Sequence, residues 1–381
     1  MATDTVTACR TELLDSVVPF WLANSLDREY GGYLHHLDRD GSVYCTDKMM
    51  WMEHREVWMF SRLYNRLERR AEWLDAARLG AEFLREHGRD KNGDWYFLLD
   101  RQGHPLIAPY NVFSDLFAVL AYLEYATASG EGWPIDLARA TFERIEARAG
   151  NPKGSFEKRL PAARTMVEHA FPMMNFHVTR ELASALGDPI YDVLSRHHLG
   201  VILDTLLDPK TGLLYEYAMP DGSRPHGPAG RLVNPGHAIE SAWFMLEYAR
   251  ELEDEKLITT AVRILNAAFE IGWDGDHGGL LYFVDVGGFP PLQLEWSMKL
   301  WWPHVEALYA FLLGYKLTGE ATLLAKHELV FRYCWERFRD PAYGEWYGYL
   351  DREGRPTHFL KGGRFKGFYH LPRGLLNCVL L

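Results

Sequence analysis

The apolar positions of this 381-residue chain follow two periods that take turns. In segments such as "EVWMFSRLYNRLERR" and "AVRILNAAFEIG" they recur at i, i+3, i+4 and i+7, the spacing of one helix face. This pattern predicts helices over 8–24, 55–70, 73–88, 112–128, 134–149, 168–186, 189–207, 238–252, 255–272, 304–317, 320–338 and 370–381. Between alternate helices the period shortens to two. Aromatic and aliphatic residues alternate there between clusters of Asp, Asn, Pro and Gly, a pattern of turn, short strand, turn, strand.

These short stretches are copies of one theme. "DREYGGYLHHLDRDG" starts at Asp27, "DKNGDWYFLLDRQG" at Asp90 and "DPKTGLLYEYAMPDG" at Asp208. "DGDHGGLLYFVDVGG" starts at Asp274, "DPAYGEWYGYLDREG" at Asp340, and a weaker copy, "NPKGSFEKRL", at Asn151. Successive starts are separated by 63, 61, 57, 66 and 66 residues. Joints within a helix pair are short and carry glycine, as in "LTGEA" and "ALGDP", which favours antiparallel neighbours. An open superhelix of such pairs needs polar caps at both ends. The segment "HLPRGLLNCVLL" stays apolar up to its final residue and asks for a partner, for which helix 8–24 is the simplest choice. The pattern therefore predicts a closed ring: an all-α (α/α)6 barrel with short β-hairpins at one rim, forming one domain over 1–381.

Composition narrows the function. Apolar residues make up 48% of the chain and aromatics 14%, with 13 Trp and 20 Tyr, enough for a large core and for the rings that line sugar clefts. A net charge of −11 argues against nucleic acid or anionic membrane as partner. The four cysteines form no C-x-x-C pair, so a reducing cytoplasm is expected. "MATDTVTACRTELLDSVVPFWLANS" lacks a basic start and a long apolar run, so neither a targeting segment nor a membrane helix is expected.

Each hairpin precedes the same member of a helix pair, so those helices all start at one end of the ring. Unusual polar residues gather at the starts: Arg55; Tyr110, Asn111 and Asp115; His169 and His177; His237 and Glu240; His304 and Glu306; His370 and Arg373. Convergence from six separate stretches is how a concave site is built. No phosphate loop, dinucleotide fingerprint or G-x-S-x-G elbow is present. A metal could use His237-x-x-Glu240 with His304-x-Glu306, although the H-E-x-x-H pattern is absent and no metal is expected. Glycoside hydrolysis could use Glu240 and Glu306 as its two carboxylates. Proton transfer beside a carbonyl could use two histidines, with Arg55 as the charge for an oxyanion. At a helix N-terminus the dipole disfavours imidazolium, so His237 is expected to be neutral, with Glu240 one turn on to orient it.

The stretches "NPGHAIE", "QLEWSMKLWWPHVEAL", "FRDPAYGEWYGYLDREG" and "KGGRFKGFYHLPR", with "CTDKMMWMEHREVW" and "PYNVFSD" before them, resemble the N-acylglucosamine 2-epimerase family over nearly the whole chain. The resemblance implies an (α/α)6 barrel that interconverts N-acetylglucosamine and N-acetylmannosamine, commonly as a homodimer. It implies His237 and His370 as the catalytic pair, Arg55 as the site arginine and Glu306 as a site glutamate. Lys299, Trp301, Trp302 and His304 fall in the matching "KLWWPH" stretch. Related cellobiose 2-epimerases usually carry Gln at the position of His304, which favours the N-acyl branch, whereas His177 resembles the cellobiose and mannose 2-epimerases. Those unacylated sugars are the alternative substrates. The chemistry is expected to need no cofactor. Many N-acyl members take ATP as an allosteric activator, for which "NPKGSFEKRLPAART" offers Lys153, Lys158, Arg159 and Arg164. Mammalian relatives are also known as renin-binding proteins, which keeps a partner-binding role as a non-enzymatic alternative.

Overall fold

Twelve helical segments alternate between two environments in the computed structural model, which describes residues 2–110, 112–148 and 165–381. Helix α1 runs Ala2–Glu12, passes through a π turn at Leu13–Val17 and continues over Val18–Asn24. It is followed by α2 (Met50–Arg66), α3 (Ala71–His87), α4 (Val112–Ser129), α5 (Trp133–Ala147) and α6 (Ala170–Leu186). Next come α7 (Pro189–Val201, extended by a π turn at Ile202–Leu206), α8 (Pro235–Leu252) and α9 (Glu255–Gly272). The series ends with α10 (Trp301–Thr318), α11 (Ala321–Arg337) and α12 (His370–Leu380).

The even-numbered helices form the inner wall. Residues Trp301 to Gly314 of α10 are buried without a break, as a helix apolar on all sides must be. Outer helices bury one stripe, such as Leu257, Ala261, Ile264, Leu265 and Ala268 of α9. Inner neighbours pack in the order α2, α4, α6, α8, α10, α12 and back to α2. Each outer helix lies against an inner one, and α1 packs on α12. The closure expected from the apolar "GLLNCVLL" is therefore present, and the architecture is the (α/α)6 barrel.

Two local expectations change. The second and tenth helices start earlier than their periodicity indicates, at Met50 and Trp301 rather than Arg55 and His304. Each begins directly after a two-residue strand, with no Gly or Pro to mark the boundary, so Arg55 sits in the second turn. The hairpins are also not self-contained. Strand β1 (His36–Leu37) pairs with β2 (Val43–Cys45) as a hairpin, but β3 (Lys48–Met49), which leads into α2, pairs with β4 (Leu98–Leu99) of the next repeat, itself paired with β5 (Pro105–Ile107). The same cross-repeat pairing joins β6 (Val167–Glu168) to β7 (Tyr217–Ala218), β8 (Leu232–Val233) to β9 (Val284–Asp285), and β10 (Lys299–Leu300) to β11 (Tyr349–Leu350). Each lead-in strand thus satisfies its backbone groups with its neighbour and ties successive inner helices together at the rim.

Buried ion pairs reinforce the ties. Asp27, Asp274 and Asp340 open three of the repeats, in turns that need glycine at positive φ, such as Gly31 (82°) and Gly278 (71°). Their carboxylates meet fully buried lysines: Lys48 at 3.1 Å, Lys299 at 2.9 Å and Lys361 at 2.9 Å. An arginine from the following repeat completes each set: Arg101 on Asp27 at 2.9 Å, Arg352 on Asp274 at 3.0 Å and Arg39 on Asp340 at 2.7 Å. Burial opposes the negative charge on Asp27, but Arg101 and Lys48 outweigh it and hold the carboxyl below its ordinary range. The Arg39–Asp340 pair joins residues 301 apart, the sixth repeat to the first. Among the described residues no helix is long and apolar enough to cross a membrane.

Candidate active site

A cavity of about 560 Å³ opens at the end where the inner helices begin. Its wall is mainly aromatic and apolar, with Trp51, Phe117, Met173 and Tyr282 among its residues. Into it project Arg55, His237, Glu240, Trp302 and His370, five of the residues singled out in the sequence. A few polar groups converging in an apolar recess make a small-molecule site.

His237 stands in the first turn of α8. Asn234 is the cap, its side chain accepting the His237 N–H at 3.1 Å, and Pro235 occupies the first turn without loss of a needed donor. The ring Nδ1 lies 3.0 and 3.1 Å from the two oxygens of Glu216, which leaves Nε2 for the cavity. Glu216 belongs to the hairpin that ends in β7. Its backbone N–H donates to Leu232 O at 2.9 Å, and its carbonyl accepts the His169 N–H at 3.0 Å. The lead-ins of α6 and α8 therefore hold this carboxylate from both sides.

His370 opens α12 and has its own carboxylate. Its Nδ1 is 2.8 Å from Glu306 Oε1. Glu306 also accepts from Arg373 Nη2 at 2.6 Å and from Trp243 Nε1 at 2.8 Å. Arg373, buried behind the cavity, additionally bonds Glu240 and reaches Tyr369 Oη at 3.0 Å. The indole of Trp302 serves both histidines, with its centroid 5.4 Å from His237 and 5.5 Å from His370.

The two imidazoles differ in proton affinity. Burial disfavours charge on His237, but Glu216 and, less strongly, Glu240 together outweigh it and raise the pKa above 6.5. The helix dipole expected to disfavour charge on His237 is thus opposed by a buried carboxylate within hydrogen-bonding distance. Glu240 does not orient His237, since its carboxylate is taken by Arg373. His370 lies well below 6.5 because of burial, then Arg373, then Arg55. Arg55 is pushed down to about 10 by burial; its guanidinium lies over Phe117 at 4.1 Å and Tyr369 at 5.0 Å. Its Nε is buried without a hydrogen-bond partner, so the cavity holds a cation with unspent donor capacity.

Other candidates lie elsewhere. Lys299 is buried on Asp274 and the carbonyls of Gly278 and Gly279, pushed down to about 8 by burial. His304 is buried as a backbone bridge: Nε2 accepts from Leu280 N at 2.8 Å and Nδ1 donates to Leu300 O at 2.6 Å. Asp115 faces Arg148 at 2.8 Å, and His177 stacks on Phe244 at 4.3 Å. Tyr110 packs its ring on Phe97 at 4.7 Å. Glu306 is one layer back, behind His370. Asn111, Lys153, Lys158, Arg159 and Arg164 lie outside the described residues.

Two groups of donor atoms have metal-like spacing among the described residues: His169, Glu216, His237 and Glu240, Glu306, His370, each within 4.8 Å. In the second, the Arg373 guanidinium already bonds both carboxylates. Sequence reasoning missed Glu216. Its signal is its company: Leu214, Tyr215 and Ala218 around it are apolar and buried. A charged residue in such a row needs a partner inside.

The family model described as N-acylglucosamine 2-epimerase (GlcNAc 2-epimerase) matches residues 32–373. The chain is 39% identical to the N-acylglucosamine 2-epimerase of Bos taurus, covering 96% of this chain and 88% of that protein. It is 38% identical to that of Mus musculus, over 96% and 89%. The solved structure of cellobiose 2-epimerase from Bacillus thermoamylovorans B4167 superposes with a TM-score of 0.86 at 22% identity, covering 100% of this chain and 99% of that one.

Proposed function

The chain belongs to the N-acylglucosamine 2-epimerase family, and from that premise we propose that its rim cavity is where N-acetylglucosamine and N-acetylmannosamine are interconverted, with His237 and His370 as proton carriers. The protein is a carbohydrate 2-epimerase, an isomerase. One observation carries the site assignment: two carboxylate-held imidazoles share Trp302 and have opposite proton affinities.

The C2 proton becomes removable only when the sugar is an open-chain aldehyde. Neutral His370 takes that proton, and the C2–H electron pair moves into C1–C2 while the carbonyl pair settles on O1. Arg55, with unspent donors, faces this oxyanion. His237, protonated against Glu216, returns a proton to the opposite face of C2. In the other direction the two histidines exchange roles. Every group in this scheme comes from the chain, so the chemistry calls on no cofactor. ATP, the expected activator, would act outside the proton transfer, and rates measured with and without it test that expectation. Equilibrium sedimentation tests the expected homodimer.

Incubation of N-acetylmannosamine in deuterated water tests the central reading. N-Acetylglucosamine carrying deuterium at C2 is the expected product; product formed with its original C2 hydrogen would overturn it.

A further inference from the structure

We infer that Glu216, braced by His169 and Ser241, is the positioning group that makes His237 the resting proton donor of the pair. The inference rests on the acid–base reading of the two histidines. Its basis is the difference between the two carboxylates. Glu306 touches His370 but also receives the Arg373 guanidinium at 2.6 Å, so its negative charge is already answered. Among the described residues no arginine or lysine meets Glu216. Its carboxylate meets His237 Nδ1 at 3.0 Å and His169 Nδ1 at 3.4 Å. His169 is fully buried, and its Nε2 is fixed at 2.8 Å from Ser241 Oγ, one helical turn beyond His237 on α8.

The charged and titratable neighbours of His237 come from each surrounding element. Glu216 stands on the hairpin, His169 at the start of α6, Glu240 on α8 itself and His370 on α12. Tyr282 borders the cavity and lies near Glu216. Of these carboxylates, only Glu216 bonds the ring. A buried carboxylate on Nδ1 also fixes the tautomer, so the mobile proton sits on Nε2, towards the sugar. The backbone supplies the precision: the Glu216 peptide hydrogen-bonds the lead-ins of both α6 and α8, so the carboxylate cannot drift from the gap between them.

The test is the pH profile of kcat/KM for wild type, Glu216→Gln, Glu216→Asp and His169→Gln. A bell is expected, with His370 on the acid limb and His237 on the alkaline limb. Glu216→Gln should lower the rate at least 10-fold and move the alkaline limb to lower pH, leaving the acid limb in place. Glu216→Asp should restore part of both, and His169→Gln should move the same limb less. An alkaline limb that stays put in Glu216→Gln, whatever the rate, overturns this inference alone. Near-normal turnover in His237→Asn would instead overturn the acid–base reading on which it rests. Should Glu216→Gln fail to fold, Glu216→Asp and His169→Gln decide by the same limb.

Discussion

Arg373 Nη2 lies 2.6 Å from Glu306 Oε1, and through this contact one buried guanidinium answers the carboxylate that holds His370. The same guanidinium bonds Glu240, so two acidic residues beside the cavity share one cation. Arg373→Met removes it. Burial still lowers the His370 pKa, but the next contribution is gone, so its proton affinity rises. The acid limb of kcat/KM should move to higher pH, with activity at pH 6 falling more than at pH 8. A limb left in place would show that Arg373 only fills space.

The histidine pair is tested directly. His237→Asn and His370→Asn should each cut turnover by at least about 100-fold, the lower range for a lost general acid or base. Circular dichroism should show the helix content of wild type, since both rings border a cavity. Near-normal turnover in either variant removes that residue from the mechanism.

The periodicity of the chain was enough to read twelve helices, their order and their closure, because a helix face is written in consecutive residues. Pairing between repeats was not legible: β8 meets β9 more than fifty positions away, and nothing local encodes a partner. The site divides in the same way. His237 and His370 were visible as histidines at helix starts and in family motifs, whereas Glu216 lies in a bend just before β7, 21 residues ahead of its partner histidine. His304 and Lys299 were misplaced because a buried polar side chain at a helix start looks the same in sequence whether it faces a cavity or satisfies a backbone. In the structure His304 bridges Leu280 and Leu300.

The ring seam carries a stability prediction. Asp340 holds both Lys361, fully buried, and Arg39. Asp340→Asn leaves the lysine without its counter-charge, at a cost of about 3–5 kcal/mol. Urea denaturation should show this loss, while Asp221→Asn, at an exposed turn, should change stability little. Equal effects from the two would mean that the seam pair contributes nothing special.

Glu53 gives a pH dependence of definite sign. It is fully buried on α2, accepts the Tyr33 N–H at 2.9 Å, and is pushed up to about 8 by burial, with Lys48 and that N–H opposing. The unfolded chain releases this proton near 4.5, the folded chain only near 8. Between those values the folded state holds the extra proton, so wild type loses stability as pH rises, by up to about 1.4 kcal/mol per pH unit. Glu53→Gln does not titrate. Its stability relative to wild type should therefore increase from pH 5 to pH 8 in paired denaturation curves; a constant difference would refute the shift.

Helix α12 packs on α1, α2 and α10, and it also bears His370 and Arg373. Docking this segment therefore completes the wall and the proton-transfer pair in a single event. Its contacts with α1 and α2 span most of the sequence, so they carry the high loop-closure entropy that slows folding. An intermediate with the first eleven helices in place would look largely native by helix content yet carry out no epimerisation. Recovery of turnover during refolding thus reports the docking of α12, and any lag behind the helical signal measures how long the ring stays open.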